Sequence, residues 1–271
     1  MIRFDNVSFS YSAAPEGRRA VDGVSFEVHP GEMVAVLGAN GSGKSTLARL
    51  ADGLLLPDAG EVRVDDVDTR DESRSLELRS SVGMVFQHPD DQIVATAVED
   101  DVAFGPENLG LPREEIRRRV DAAIAAVGLS GLERREPHLL SGGQKQRLAI
   151  AGALAMSPRY LVLDEPTAMI DATGRREVAD VIASMRSEGH GILLITHDLA
   201  DAATADRVLV LCSGKVAFGG TLAGLLAHGS DLDAWGLEAP PIAVLATELA
   251  ARGLGDGAAL SPHEVVASLW P

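Results

Sequence analysis

Eight residues constrain this chain more than any other feature: Gly38 to Ser45 reads GANGSGKS, directly after the apolar run MVAVLG and directly before the helix-like TLARLADGLL. A glycine-rich turn between a strand and a helix lets backbone amides wrap a polyphosphate while the helix N-terminus faces the same anion. Gly38, Gly41 and Gly43 supply the turn, and Asn40, Ser42 and Thr46 belong to the same candidate nucleotide-binding set. Lys44 is placed to reach the β- and γ-phosphates, and the Ser45 hydroxyl to ligate magnesium. The pattern by itself suits kinases, GTPases and ATPases of many kinds.

Two further motifs narrow the choice. YLVLDEPT, residues 160–167, is an apolar strand that ends in Asp164 and Glu165, two carboxylates at the sheet edge where the phosphate loop also lies. Asp164 is the candidate to organise magnesium, and Glu165 to orient and activate a water for in-line attack on the γ-phosphate. LSGGQ, residues 140–144, precedes the apolar helix QKQRLAIAGALAM. Ser141 stands at its N-cap, so the Ser141 hydroxyl and the amides of Gly142 and Gly143, with Gln144, make a second anion site at a helix N-terminus. Closing one nucleotide between two chains is a simpler geometry than folding both devices of one chain together.

The remaining apolar runs VGMVFQ, GILLIT and RVLVLC alternate with helical patterns, and continuous runs of this length suit strands covered on both faces. The predicted fold is α/β with a parallel sheet. Between Gln87 and Tyr160 the strand signal stops. There PREEIRRRVDAAIAAVG sets Ile116, Val120, Ile124 and Val127 on one helical face before Gly128 ends it, which predicts a helical insertion over about 88–157. The predicted division is residues 1–220 as the main domain and 221–271 as a small helical extension. In the extension one helix carries Ile242, Leu245 and Leu249, and another opens with Ser261 as N-cap, Pro262 in the first turn and Glu264 as capping-box acid.

Lys and Arg number 24 against 40 Asp and Glu, a net charge of −16, which argues against non-specific nucleic-acid binding. No stretch approaches the roughly 20 apolar residues of a membrane helix, and MIRFDNVSFS lacks the features of a signal peptide, so a cytoplasmic protein is expected. Cys212, the single cysteine, lies in VLVLC and is expected to be an inert buried thiol.

Taken in order, GANGSGKS, LSGGQ, YLVLDEPT and LLITHD resemble the ATPase subunits of ABC transporters across nearly the whole chain. The resemblance implies a P-loop NTPase of ABC ATPase type, with a RecA-like parallel core, an antiparallel β part and a helical subdomain. It implies a head-to-tail dimer in which ATP and Mg2+ on GANGSGKS of one subunit are capped by LSGGQ of the other. By the same resemblance Tyr11 stacks on adenine, Gln87 senses magnesium and the attacking water, His197 contacts the γ-phosphate, and Asp171 lies in the loop that crosses the dimer interface. Residues 86–112, FQHPDDQIVATAVEDDVAFGPENLGLP, are similar to the energy-coupling-factor transporters for vitamins and transition-metal ions, as are LDEPTAMIDATGRREV and GLEAPPIAVLATELAARGL. That group implies a second ATPase subunit, identical or different, a transmembrane coupling protein and a substrate-binding membrane protein, at the cytoplasmic face of the membrane. The sequence departs from the pattern at His88, where asparagine is usual, and at Ala172, which replaces a stiffening proline after Asp171.

Two alternatives compete. An ATPase of a binding-protein-dependent importer is disfavoured by residues 86–112 and the tail, and a non-transport ATPase acting on nucleic acid by the charge and the absence of a heptad tract. Between Pro89 and Leu111 the acids Asp90, Asp91, Glu99, Asp100, Asp101 and Glu107 interleave with Ile93, Val94, Val98, Val102 and Phe104, without Lys or Arg. This predicts a groove that receives a short, arginine-bearing helix of the transmembrane partner.

Overall fold

The computed structural model describes residues 1–12, 19–168, 170–254 and 262–269, with the side chains of Ser230 and of 262–264 left aside. The expected cap Ser261 and the side chains of Pro262 and Glu264 therefore lie outside the described residues.

Five apolar runs become the parallel sheet: β3 (Met33–Leu37), β6 (Val82–Val85), β7 (Tyr160–Asp164), β8 (Gly191–Ile195) and β9 (Arg207–Cys212). With β10 (Lys215–Gly220) antiparallel to β9, the order is β10-β9-β3-β8-β7-β6. Alternation along each strand feeds two cores. Val34, Val36, Val162, Leu193 and Ile195 point into one, and Met33, Ala35, Leu37, Leu161, Leu163, Ile192 and Leu194 into the other. Both faces are covered, which is why the strands are apolar at every position rather than at every second one.

The first core is closed by α1 (Lys44–Ala51), by α2 (Ser75–Ser81) and by a second, antiparallel sheet in the order β2-β1-β4-β5. Its strands are β1 (Ile2–Phe9), β2 (Val21–Val28), β4 (Ala59–Val64) and β5 (Val67–Asp68). The other core is closed by the helical insertion α3 (Val98–Asn108), α4 (Arg113–Ala126) and α5 (Gly142–Ala155), and by α6 (Ala172–Ser187). Val120, Ile124 and Val127 are buried there with Ile116 packed at the edge, and Gly128 ends the helix at φ +67°. The predicted face of α4 is the observed one.

The tail comprises α7 (Leu222–Leu226), α8 (Gly229–Ala234), α9 (Pro241–Ala251) and α10 (Pro262–Leu269). Its first part is no loose appendage: Leu222, Leu225, Leu226, Leu232, Leu237 and Ala243 sit in the core shared with the sheet and α3–α6. Beyond it, Ala246 and Val265 form a small satellite cluster with Ile242, Leu249 and Leu269. Leu245, placed with Ile242 and Leu249 by the sequence reading, is 47% exposed, one position off the face those two present.

Candidate functional site

The C-terminal ends of the parallel strands open into a cavity of about 1200 Å3, lined by Tyr11, the loop from Ala39 to Thr46, Gln87 and Glu165. The loop can pass here only as glycine. At Gly43, φ +108°, a Cβ would stand 2.1 Å from the Ala20 carbonyl oxygen, and at Gly38, φ +147°, 2.3 Å from that of Leu211. Lys44 turns back on the loop, donating from Nζ to Gly38 O at 2.7 Å and to Ala39 O at 2.9 Å. Burial holds its pKa below the usual lysine range, against the pull of Glu165 and Asp164. The Ser42 hydroxyl is buried with no hydrogen-bond partner among the described residues.

Ser45, in the first turn of α1, donates from Oγ to Asp164 Oδ1 at 3.1 Å. Burial raises the Asp164 pKa, the Ser45 bond lowers it and neighbouring Glu165 raises it further, for a net rise. Glu165 sits at φ +48°, a left-handed conformation that costs a non-glycine residue free energy, and its N–H donates to Ile195 O at 2.9 Å. Its carboxylate is held from both sides: Gln87 Nε2 donates to Oε2 at 2.9 Å, and His197 Nδ1 lies 3.3 Å from Oε1. Behind it, Asp201 accepts from Thr167 Oγ1 at 2.5 Å and Thr196 Oγ1 at 3.1 Å, tying the ends of β7 and β8 together. Arg175 pairs with Asp198 at 2.9 Å beside them. Tyr11 stands on the cavity wall, its hydroxyl 3.2 Å from Thr46 Oγ1 and its ring edge-on to Phe9.

The second candidate anion site lies elsewhere. Ser141 caps α5 in a reciprocal capping box, its Oγ accepting from Gln144 N at 3.3 Å while Gln144 Oε1 accepts from Ser141 N at 2.9 Å. Asp171 caps α6 by a single bond, its side chain accepting from Gly174 N at 2.8 Å, so Ala172, which stands where a proline is usual, begins a capped helix. The two helix starts nearly touch. A Cβ on Gly143 would stand 3.1 Å from Gly174 Cα, and Ser141, Gly142, Gly143, Gln144, Asp171 and Gly174 line one small cavity. The structure thus gathers Tyr11, the phosphate loop, Gln87, Asp164, Glu165 and His197 in one place, and LSGGQ with Asp171 in another.

Three expectations need correction. Cys212 is half-buried rather than enclosed and lines the large cavity, because it is the last residue of β9, where the strand meets the cavity rim. Val98 and Val102 are buried in the core of the insertion instead of lining a groove. The acidic run is partly spent internally. Buried Asp101 accepts from the Val94 and Ala95 amides at 2.8 and 3.0 Å, Glu99 pairs with Arg117 at 3.0 Å and Asp90 with Lys145 at 2.6 Å. Asp91, Asp100 and Glu107 stay exposed with Val94 and Phe104. The sequence reading also missed part of the cavity wall, Asp233, Ala234, Trp235 and Gly236 from the tail; only the glycine ending α8 hints at a close approach there.

Comparison with known proteins identifies the family. The family model "ABC transporter" matches residues 21–168. The energy-coupling factor transporter ATP-binding protein EcfA1 of Symbiobacterium thermophilum is 53% identical over 257 residues, covering 92% of this chain and 89% of that protein. EcfA1 of Oceanobacillus iheyensis is 43% identical over 272 residues, covering 100% of this chain and 96% of its own length. Among solved structures, CbiO1 of Clostridium perfringens, described as part of the ABC transporter complex CbiONQ, superposes with TM-score 0.76 at 37% identity, over 86% of this chain and 92% of that one. A post-hydrolysis dimer of the ATP-binding cassette MJ0796 with ADP and Pi gives TM-score 0.74 at 29% identity, over 82% and 99%. The chain belongs to the ABC transporter family, on its energy-coupling-factor branch, and is an ATPase coupled to transport.

Proposed function

We propose that two ATPase subunits join head to tail and close two composite sites on ATP and Mg2+, energising import of a vitamin or a transition-metal ion through an energy-coupling-factor transporter. The observation that carries this reading is the split between the two constellations: LSGGQ and Asp171 share a cavity that contains none of the phosphate-loop residues. The dimeric state of the related cassette supports an assembly of two subunits. The resemblance of residues 86–112 to vitamin and metal importers supports the substrate class, and the names of the relatives support the energy-coupling-factor type. Residues 1–220 would form the ATPase unit and 221–271 an extension whose first part is built onto that unit's core.

In this reading Tyr11 carries the adenine, the loop from Gly38 to Thr46 wraps the phosphates, and Lys44 Nζ moves from its own loop's carbonyls to the β- and γ-phosphates. Ser45 and Asp164, with Gln87, fit Mg2+: they offer hard oxygen donors, and Asp164, its charge disfavoured by burial and by Glu165, gains from a cation beside it. The ion, when bound, neutralises charge on the phosphate oxygens. Glu165 accepts a proton of the attacking water, and Gln87 and His197 fix its two oxygens in direction. Ser141, Gly142, Gly143 and Gln144 of the opposite subunit, with Asp171, close over the γ-phosphate.

Among the described residues no helix is long and apolar enough to cross a membrane. By the family resemblance the subunit would sit peripherally at the cytoplasmic face, held by a transmembrane coupling protein that works with a substrate-binding membrane protein. The test is to mix Lys44→Ala and Ser141→Arg chains, each inactive alone. Subunit exchange should restore about a quarter of wild-type hydrolysis, since random pairing makes about half the dimers mixed and each mixed dimer keeps one intact site of two. Verified exchange without any recovered ATP hydrolysis overturns the shared site.

A further inference from the structure

The tail reaches the phosphate loop. Leu232 and Leu237, 3% and 1% exposed, fix the two ends of the α8 corner in the main core, and Trp235 packs beside Phe218 and His228 at 6.2 and 6.0 Å between ring centroids. Held this way, Asp233 to Gly236 form one wall of the large cavity. Gly236 ends α8 at φ +67°, with its N–H donating to Asp233 O at 3.0 Å and the Leu237 N–H to Leu232 O at 2.9 Å. That hydrogen-bond pattern asks for glycine in any helix stop.

A second requirement is specific to this protein. A Cβ on Gly236 would stand 2.6 Å from Ala39 Cβ and 3.4 Å from Ala39 Cα, so the tail corner abuts the first turn of the phosphate loop. Ala39 matters because its carbonyl accepts from Lys44 Nζ at 2.9 Å and from Ser42 N at 3.2 Å. A displacement of Ala39 displaces the anchor of the lysine and the turn that presents the amides.

We propose that Gly236 is a positioning residue for the nucleotide's polyphosphate: the bare Cα lets the tail corner seat against Ala39, and that seat fixes the carbonyl that aligns Lys44. The extension thereby acts on ATP binding within its own chain. The proposal rests on the reading of Lys44 as a phosphate ligand.

The test compares full-length chains by displacement of a fluorescent ATP analogue, with ATP and with AMP as competitors, alongside thermal melting. Gly236→Ala should weaken ATP about tenfold, the scale of one charge-assisted hydrogen bond, while AMP changes by less than about twofold. Gly253→Ala controls for backbone strain, since Gly253 sits in the tail at φ +78° with nothing within 4 Å of an added Cβ; it should leave ATP affinity unchanged. Ala39→Gly alone sets the baseline for the altered loop; on that background the opposed methyl is gone, and Gly236→Ala should cost less than about threefold further. Unaltered ATP affinity in Gly236→Ala, equal losses for ATP and AMP, or a full tenfold further loss on the Ala39→Gly background would each overturn the proposal. Lys44→Ala in the same assay separates the two levels: if it keeps wild-type ATP affinity, the reading of the loop fails, and not only the role of Gly236.

Discussion

At the residue scale, the site is built from short contacts between groups far apart in sequence. GANGSGKS, the Asp164–Glu165 pair and the Ser141 cap were legible because each does its work within a few residues of a strand or helix end. Gln87 and His197 were not legible in that way. Their meeting on Glu165 depends on strand order, and only the family resemblance pointed to them. Because Gln87 and His197 already orient the Glu165 carboxylate, Glu165→Gln should keep ATP affinity and lose turnover by about a hundredfold or more, as expected for removal of a general base. Phosphate release and nucleotide titration on the same preparation check both halves. A second prediction concerns Asp52, which closes α1, where burial pushes the carboxyl up to about 7 against a weaker opposing effect of Arg79. Between about pH 4 and 7 the folded state holds a proton that the unfolded state has released, so stability falls as pH rises through that window and levels off above it. Asp52→Asn should therefore add on the order of 4 kcal/mol at pH 8 and nothing at pH 4, read from thermal or denaturant unfolding at the two pH values.

At the element scale, the five parallel strands were readable because both faces are covered, and α4 because four apolar residues keep one face over three turns. The antiparallel sheet was not readable from pattern. Its strands are half-exposed, and β1 carries register shifts against both neighbours, which break the two-residue alternation. The seating of α7 and α8 was invisible for a related reason: helices of 5 and 6 residues are too short to display a period. The acidic run is now reduced to a narrower claim. Asp100, Phe104 and Glu107 follow one another at i, i+4 and i+7 on α3, all exposed, and form the stripe left to meet a basic partner helix. Asp100→Lys with Glu107→Lys should leave folding and ATP binding intact while abolishing co-purification with the transmembrane partner. Asp90 is the wrong residue to change, since its loss would also strand Lys145. Undiminished co-purification of the double variant would return the stripe to plain solvated surface.

At the scale of the whole molecule, the two half-sites and the net charge make opposing demands. Each copy carries −16 and gains more negative charge with bound nucleotide, so two copies repel through solvent, yet under the proposed head-to-tail arrangement each would leave its phosphate loop and its LSGGQ helix start to be completed by another chain. Association should therefore need nucleotide at the interface and should strengthen as salt screens the repulsion, on a Debye length of about 10 Å at 0.1 M. In the proposed arrangement hydrolysis removes the γ-phosphate that would join the halves, so the closed dimer should accumulate only where turnover is blocked. In sedimentation, Glu165→Gln with ATP should run as a dimer whose population rises between about 0.02 and 0.2 M salt. The same chain with ADP, or carrying Ser141→Arg in addition, should run as a monomer. A dimer that forms without nucleotide, or one that survives Ser141→Arg, would mean that other surfaces hold the copies together. If Glu165→Gln binds ATP and stays monomeric at every salt concentration, the partner that supplies LSGGQ is a second, different ATPase subunit.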